Sequence, residues 1–509
     1  MSRTIKLQTQ GLEQIRKTDP RLMSYNIEMT EVTGGTFWKE YTPKQINGTE
    51  NFTAIGRLEK NMTAMADLMQ YYPPIDLYDK KIRNLAKALG LVWVRVSGSW
   101  ATKTYYDFDG VTGGKAPEGY QSVLTKKQWT GVLDFVKEVG AKLLISVSNC
   151  SGDHPSGGPL DLTQTKKIFD FSAEYGVPID AAEFMNEPNM LEMSGAPKDY
   201  TPQDYVRDQD IFNSWVRENY PDCLIVGPCT TGGIGDDLFD EYRSVNHIGG
   251  GIGDLMKTCS TDELMNGAQV PLDVFSYHYY NGISERVASV LPSAHWSADK
   301  AHTDEYLAVA PNNAKKHLPL RDKYVPGGQI WVTESGDAGA GGDTWASTYL
   351  DVFRTLNELG SFALLTDGII FHNTLASSDY GFLKHGSFDA RPNYFAVLLW
   401  NALMGTDVYE CNISDTKGLH IYCHSRKDGK EGYAYLIINN SADESATVEL
   451  TQDTDCYMLT APTLRSPVMM LNGTPLTADD AGNISNISPK VYHKEKIIMP
   501  PCSVMFAVL

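Results

Sequence analysis

The chain has 509 residues, with 44 Lys and Arg against 63 Asp and Glu, a formal net charge of −19. Apolar residues make up 42 % of it, enough for a large core, which excludes a disordered or fibrous chain. No apolar run approaches the roughly 18 residues that a membrane span needs. Nor does an acidic balance of this size supply the basic face that nucleic acid, polyanions or anionic membranes require, so none of these is expected as a partner.

The opening residues, MSRTIKLQTQ, contain no apolar h-region. The expectation is a cytoplasmic protein or one whose signal has been removed. The Cys residues are scattered without CxxC or zinc-type spacing, and buried free thiols are expected. Residues 1–20 alternate polar and apolar before a DPR turn, which reads as an edge strand. From 21 to 404, short β-branched runs alternate with amphipathic stretches. The runs are 22–29, 91–98, 142–149, 180–187, 223–229, 273–280, 329–335 and 367–373. Helical spacing with a terminal Gly marks 125–140 and 344–360. Eight strand–helix alternations over roughly 380 residues predict an α/β chain built on a (β/α)8 barrel. A doubly wound sheet is disfavoured, because no GxGxxG follows the first strand. After 404 the texture changes to strand-like runs separated by turn clusters, with no helical period, so 405–509 is predicted to be an all-β sandwich that the N-terminal strand joins. The stretch 34–75 reads as a long excursion of the size that shapes a barrel's mouth.

Barrel enzymes carry their chemistry at the C-terminal ends of the strands. The fourth run ends EFMNEP, placing Asn186 and Glu187 at that rim, and the seventh ends WVTES, placing Glu334 there. Strands four and seven face each other, so the two carboxylates can converge as the acid/base and nucleophile of a retaining glycosidase, about 5–5.5 Å apart. Pro188 is expected to hold Glu187 in an extended backbone. Asn186 can hydrogen-bond a sugar 2-hydroxyl. In the sixth run, SYHYY, His278 and Tyr280 are expected to face Glu334 in preference to Tyr279, and a phenol there would hold the nucleophile ionised.

These segments resemble those of the heparanase and β-glucuronidase family of retaining barrel glycosidases. The resemblance is carried by NEPN, TES, RVSGSWATKTYYDF (95–108), HYYNG (278–282), ESGDAGAGGDT (334–344) and SSDYGFLKHGSFDARPNYFAVLLWNALMGTDV (377–408), and it extends over nearly the whole chain. It implies Glu187 as general acid/base, Glu334 as nucleophile and Glu28 as a rim acid contacting the non-reducing sugar. It also implies that the backbone amides of Gly341 and Gly342, with Tyr380, hold the sugar's carboxylate. Asp337 departs from the pattern by adding a charge near that expected pocket. Phe37 and Trp38, in an excursion that is not heparanase-like, are candidates to stack on a sugar or aglycone.

The expected function is a retaining exo-β-glycosidase, foremost a β-glucuronidase, on a small glycoside or oligosaccharide, with no metal or organic cofactor implied. The alternatives are a barrel glycosidase for a neutral sugar, such as a β-xylosidase or β-glucosidase, and a catalytically silent carbohydrate-binding protein. An endo-acting enzyme on a polysulfated chain is disfavoured by the charge of −19.

Overall fold

The computed structural model describes residues 3–53, 67–231, 258–288, 292–411, 413, 417–485 and 487–509. Eight parallel strands close into a barrel in chain order: β1 (Met23–Glu28), β2 (Trp93–Ser97), β3 (Lys142–Ser146), β4 (Ala181–Glu183), β5 (Leu224–Thr230), β6 (Val274–Ile283), β7 (Gln329–Gly339) and β8 (Ile370–His372). Each coincides with one of the eight runs. Such strands are buried on both faces, which is why they read as nearly continuous apolar runs. Along β2, Val94 and Val96 join the core beneath the surrounding helices, while Trp93 joins a separate cluster inside the barrel with Leu144, Ala181, Val226, Val274, Trp331, Ile369 and Phe371. That cluster is the floor of the lumen. Trp331 lies 5.1 Å from Trp93 and 5.8 Å from Phe371, centroid to centroid.

The helix Lys126–Val139 follows its sequence signals: Thr125 and Gln128 form a capping box, Gly140 ends it in the left-handed conformation, and Trp129, Val132, Leu133 and Val136 form its buried stripe. The next expected helix end, at Gly360, is not one. That helix runs Leu350–Leu365, straight through the glycine. A Cβ at Gly360 would collide with the ring of Tyr422 from the C-terminal domain, so this glycine marks a close approach and not a cap.

The C-terminal strands form a nine-stranded sheet that Gln14–Lys17 joins by pairing with Met404–Tyr409, and a three-stranded sheet that contains Thr4–Lys6. The N-terminal residues thus supply two strands, where a single one was expected. Alternation along Tyr433–Asn439 shows how the domain is used: Tyr435 and Ile437 face the sandwich interior, whereas Leu436 and Ile438 join the barrel's core. Tyr422 donates to Asn357 (2.7 Å) and Tyr349 to the Leu459 carbonyl (2.9 Å) across the same seam. All eight Cys are free thiols. Among the described residues no helix is long and apolar enough to cross a membrane.

The first excursion forms an antiparallel hairpin, Gly35–Trp38 with Met69–Tyr72, at the barrel mouth. Its residues 54–66 lie outside the described residues.

Candidate active site

Two residues above the lumen's apolar floor, the same strands present charge. Arg95 of β2 is fully buried and lies at the centre of the layer. Its Nε donates to Glu183 Oε2 (2.9 Å), its Nη1 to Glu334 Oε1 (3.0 Å) and its Nη2 to Asn186 Oδ1 (2.9 Å). One cation therefore ties β4 to β7 across the barrel. Arg95 also approaches His278 Nε2 at 3.3 Å. A guanidinium only donates, so that ring nitrogen accepts. The other nitrogen, Nδ1, therefore carries a proton, and it lies 3.0 Å from Glu187 Oε1 and 3.5 Å from Glu334 Oε2.

Glu334 comes to this layer through a bulge. On β6 and β7, Tyr277 pairs with Val332 but His278 pairs with Glu334, so Thr333 is an extra residue. It reverses which side chains face inward. Trp331 faces the lumen below the bulge and Glu334 above it, while Ser335 points out to Glu358 on the helix Leu350–Leu365 (2.6 Å). Asn26 donates to the Thr333 carbonyl at 3.0 Å and so satisfies the displaced backbone. Tyr280 donates to Glu334 Oε2 at 2.7 Å. Burial pushes the Glu334 carboxyl up, but His278, Arg95 and the Tyr280 hydroxyl outweigh it and hold the group below the ordinary Glu value. Of the three candidates on β6, His278 and Tyr280 point into the lumen. Tyr279 points outward and donates to Asn281.

Glu187 reaches the site by a route the sequence did not indicate. Its backbone is left-handed (φ 47°, ψ 53°) and not extended as the following proline suggested. This conformation costs a non-glycine residue about 1–2 kcal/mol. Local bonds fix it: the Glu187 carbonyl accepts from Ser194 Oγ (2.8 Å) and Met190 N–H (3.0 Å), and beneath it the Cys229 thiol donates to the Met185 carbonyl (2.8 Å). Oxygens of Glu187 and Glu334, with a nitrogen of His278, lie within 4.8 Å of one another. The side chain of Glu187 stays partly exposed to the mouth, that of Glu334 hardly at all.

The remaining candidates line one side of this pair. Glu28 ends β1 with its carboxylate packed on Gly98, where any Cβ would collide with it. Burial, then Glu334 and Glu31, raise its pKa well above the ordinary value. Asn373, after β8, donates to the hydroxyls of both Tyr280 (3.0 Å) and Tyr380 (3.2 Å). The Tyr380 oxygen thus accepts, and its own proton is left to donate.

The glycine-rich turn is braced from behind by Arg286. Its guanidinium donates to the carbonyls of Gly342 (2.7 Å) and Lys39 (2.7 Å), pairs with Asp379 (2.6 Å) and covers the Tyr41 ring at 3.8 Å. Gly342 donates its N–H to the Ala338 carbonyl (3.1 Å), so that amide is already committed. No partner within the described residues takes the N–H of Gly341. Trp38 packs over it so closely that a Cβ at Gly341 would come within 2.6 Å of the indole Cγ. Phe37 precedes Trp38 on the same partly buried strand. Asp337 stays out of the pocket. It is buried behind the turn, accepts from the Asp343 N–H (2.8 Å), and its pKa is pushed to about 7 by burial and then by Asp351.

Besides the Glu187–His278–Glu334 set, two groups of His, Cys and carboxylate side chains among the described residues come within the same 4.8 Å. Glu183–Cys229–His278 belongs to the Arg95 network. Glu285–His295–Asp343 lies beyond the glycine-rich turn, where Arg286 and Arg465 offset its charge.

Arg95, Glu183, Asn373 and Arg286 were not singled out as site residues. Arg95 did carry a signal: it is the lone charge inside the apolar run LVWVRVS, where only a partnered cation can be buried.

Comparison with known proteins agrees with this fold. Over 492 residues the chain is 24 % identical to heparanase-like protein 1 of Arabidopsis thaliana, a match covering 86 % of this chain and 85 % of that one. It is 32 % identical over 188 residues to the baicalin-β-D-glucuronidase of Scutellaria baicalensis, spanning 35 % of this chain and 36 % of that one. Among solved structures, a 4-O-α-L-rhamnosyl-β-D-glucuronidase from Fusarium oxysporum aligns over 99 % of this chain and 100 % of its own, with a TM-score of 0.64 at 12 % identity, a likeness of fold. No protein-family model matches the chain. By fold and by homology the chain is a barrel glycoside hydrolase, related over most of its length to heparanase-like proteins.

Proposed function

We propose that the protein is a retaining exo-β-glycosidase acting on β-glucuronides. The observation that carries the mechanism is the approach of the Glu187 and Glu334 carboxylates to within 4.8 Å on opposite sides of the barrel mouth. Oxygens this close fit the shorter carboxyl separation of a retaining enzyme better than the roughly 6.5–9.5 Å of an inverting one. Glu334, held ionised by Arg95 and Tyr280, attacks the anomeric carbon. Glu187 protonates the departing oxygen. Because His278 Nδ1–H points at Glu187 Oε1, the transferable proton belongs on Oε2. In the second half-reaction the Glu187 carboxylate takes a proton from water, which displaces Glu334 and restores the original anomeric configuration.

The choice of sugar rests on the pocket beside the pair and on the relatives' glucuronidase names. Gly341 N–H and the Tyr380 hydroxyl are neutral donors suited to a carboxylate, and Arg286, which braces the turn, is paired with Asp379. A panel of p-nitrophenyl β-glycosides tests this reading. The β-glucuronide should be cleaved fastest, and NMR should show the β-anomer as first product. Faster cleavage of the β-glucoside or β-xyloside overturns the sugar assignment, and an α-anomer overturns the mechanism.

A further inference from the structure

Glu183 takes no part in the chemistry proposed above, yet it is placed at the centre of the charged layer. It is fully buried. One of its oxygens accepts from Nε of Arg95 (2.9 Å) and lies 2.8 Å from Nη2, and the other has no partner. A buried carboxylate with an unsatisfied oxygen is costly, so its presence there calls for a role that an apolar residue would not fill. The guanidinium it grips is the one that donates to Glu334. One buried cation thus bridges two carboxylates, of which only Glu334 reacts.

We propose that Glu183 is a positioning residue that keeps Arg95 neutralised while Glu334 is esterified to the sugar. The inference rests on the retaining reading above. In glycosylation a bond forms between a Glu334 oxygen and the anomeric carbon. The glycosidic bond breaks, and the proton of Glu187 leaves on the departing oxygen. The negative charge of Glu334 is consumed in the ester. Without Glu183, Arg95 would then be a lone buried cation facing a neutral ester, which is strongly unfavourable. With it, the Arg95–Glu183 pair stays neutral through the cycle. In the resting enzyme the same sharing has a second effect: Arg95 is not wholly spent on Glu334, so the nucleophile keeps part of its basicity. The other groups facing Glu334 are Glu28 from β1, Glu187 after β4, His278 and Tyr280 from β6, and Tyr380 after β8. None of them touches Arg95 as Glu183 does, through two of its nitrogens.

The test compares the wild type with Glu183→Gln and Glu183→Asp, using the 2,4-dinitrophenyl glycoside of the sugar that the wild type prefers. In Glu183→Gln, kcat/KM, which reports glycosylation, should fall at least about tenfold. Hydrolysis of the 2-deoxy-2-fluoro glycosyl-enzyme should be unchanged or faster, since Glu334 becomes the better leaving group. The acid limb of kcat/KM should move to lower pH by about one unit, because a carboxylate beside Arg95 no longer opposes ionisation of Glu334. Glu183→Asp keeps the charge and should keep the limb in place whatever its rate. An unmoved limb in Glu183→Gln, or an equal shift in Glu183→Asp, overturns the proposal.

Should Glu183→Gln fail to fold, Arg95→Gln is compared with the Arg95→Gln/Glu183→Gln double variant, which leaves no lone buried charge. Since Glu183 acts through Arg95, its removal should cost nothing more once Arg95 is gone, and a further loss of kcat/KM of about tenfold in the double variant relative to Arg95→Gln overturns the proposal. Product of inverted configuration from the wild type would instead sink the retaining reading and this inference together, whereas retention with an unmoved limb sinks the inference alone.

Discussion

Trp93 and Arg95 are one step apart on the same face of β2, and they belong to different regimes. At the level of Trp93 the lumen is closed by aromatic and aliphatic side chains, with Trp331 wedged between Trp93 and Phe371. At the level of Arg95 it holds a cation, Glu183, Glu334 and an imidazole, each fixed by a hydrogen bond to its neighbour. The lower layer is stabilised by removal from water and tolerates no gap. The upper layer is expensive to bury and is justified only by what its charges do. The floor makes the site by denying it solvent from below, so that the electrostatic interactions above it act at close to full strength. Stability and chemistry are thus separated along the barrel axis by a single inward-facing residue per strand.

Substitutions in the two layers should therefore fail differently. Glu334→Gln removes the proposed nucleophile and should lower kcat on aryl glycosides by roughly 10⁴-fold or more while the melting temperature stays near that of the wild type. Near-normal turnover would show that the upper layer is not the reactive one. Glu187→Gln should cost on the order of 10³-fold with a poor leaving group such as a methyl glycoside, and far less with 2,4-dinitrophenol, which leaves without an acid. Equal losses on both substrates would contradict its assignment as the acid. In the floor, Trp331→Ala should destabilise by about 3–5 kcal/mol in denaturant unfolding, with KM of the surviving folded enzyme little changed. A large rise in KM without loss of stability would erase the distinction between the layers. The smallest effect belongs to Tyr280→Phe. Its hydroxyl lowers the Glu334 pKa, so the acid limb of kcat/KM, expected below the ordinary Glu range in the wild type, should move upward, with a rate loss of about tenfold.

The barrel was legible because parallel strands buried on both faces leave β-branched runs that nothing else in a chain of this kind imitates. Glu187 and Glu334 were legible because each closes such a run, one inside NEP. What the sequence concealed is local and geometric. Pro188 biases the preceding residue towards an extended backbone, yet bonds from Ser194 and Met190 hold Glu187 in the left-handed region. Gly360 has the look of a helix end, but the ring of Tyr422, far along the chain, determines its meaning. The glycine-rich turn suggested two free amides. The carbonyl of Ala338, supplied by the turn itself, takes one of them. Asp337 seemed to intrude on that pocket, and the alternation of β7 turns it behind the turn instead.

That alternation depends on Thr333. Strand β7 is written in two frames: up to Trp331 the odd-numbered positions face the lumen, and from Glu334 onward the even-numbered ones do. The residue between them works as punctuation. Pairing it in regular register, with no bulge, would leave the composition of the strand untouched but would turn the Glu334 carboxylate among the outer helices and bring Ser335 inside. For this strand, register is as much a part of the active site as identity, and the same residues paired without the bulge would make a different protein at its centre.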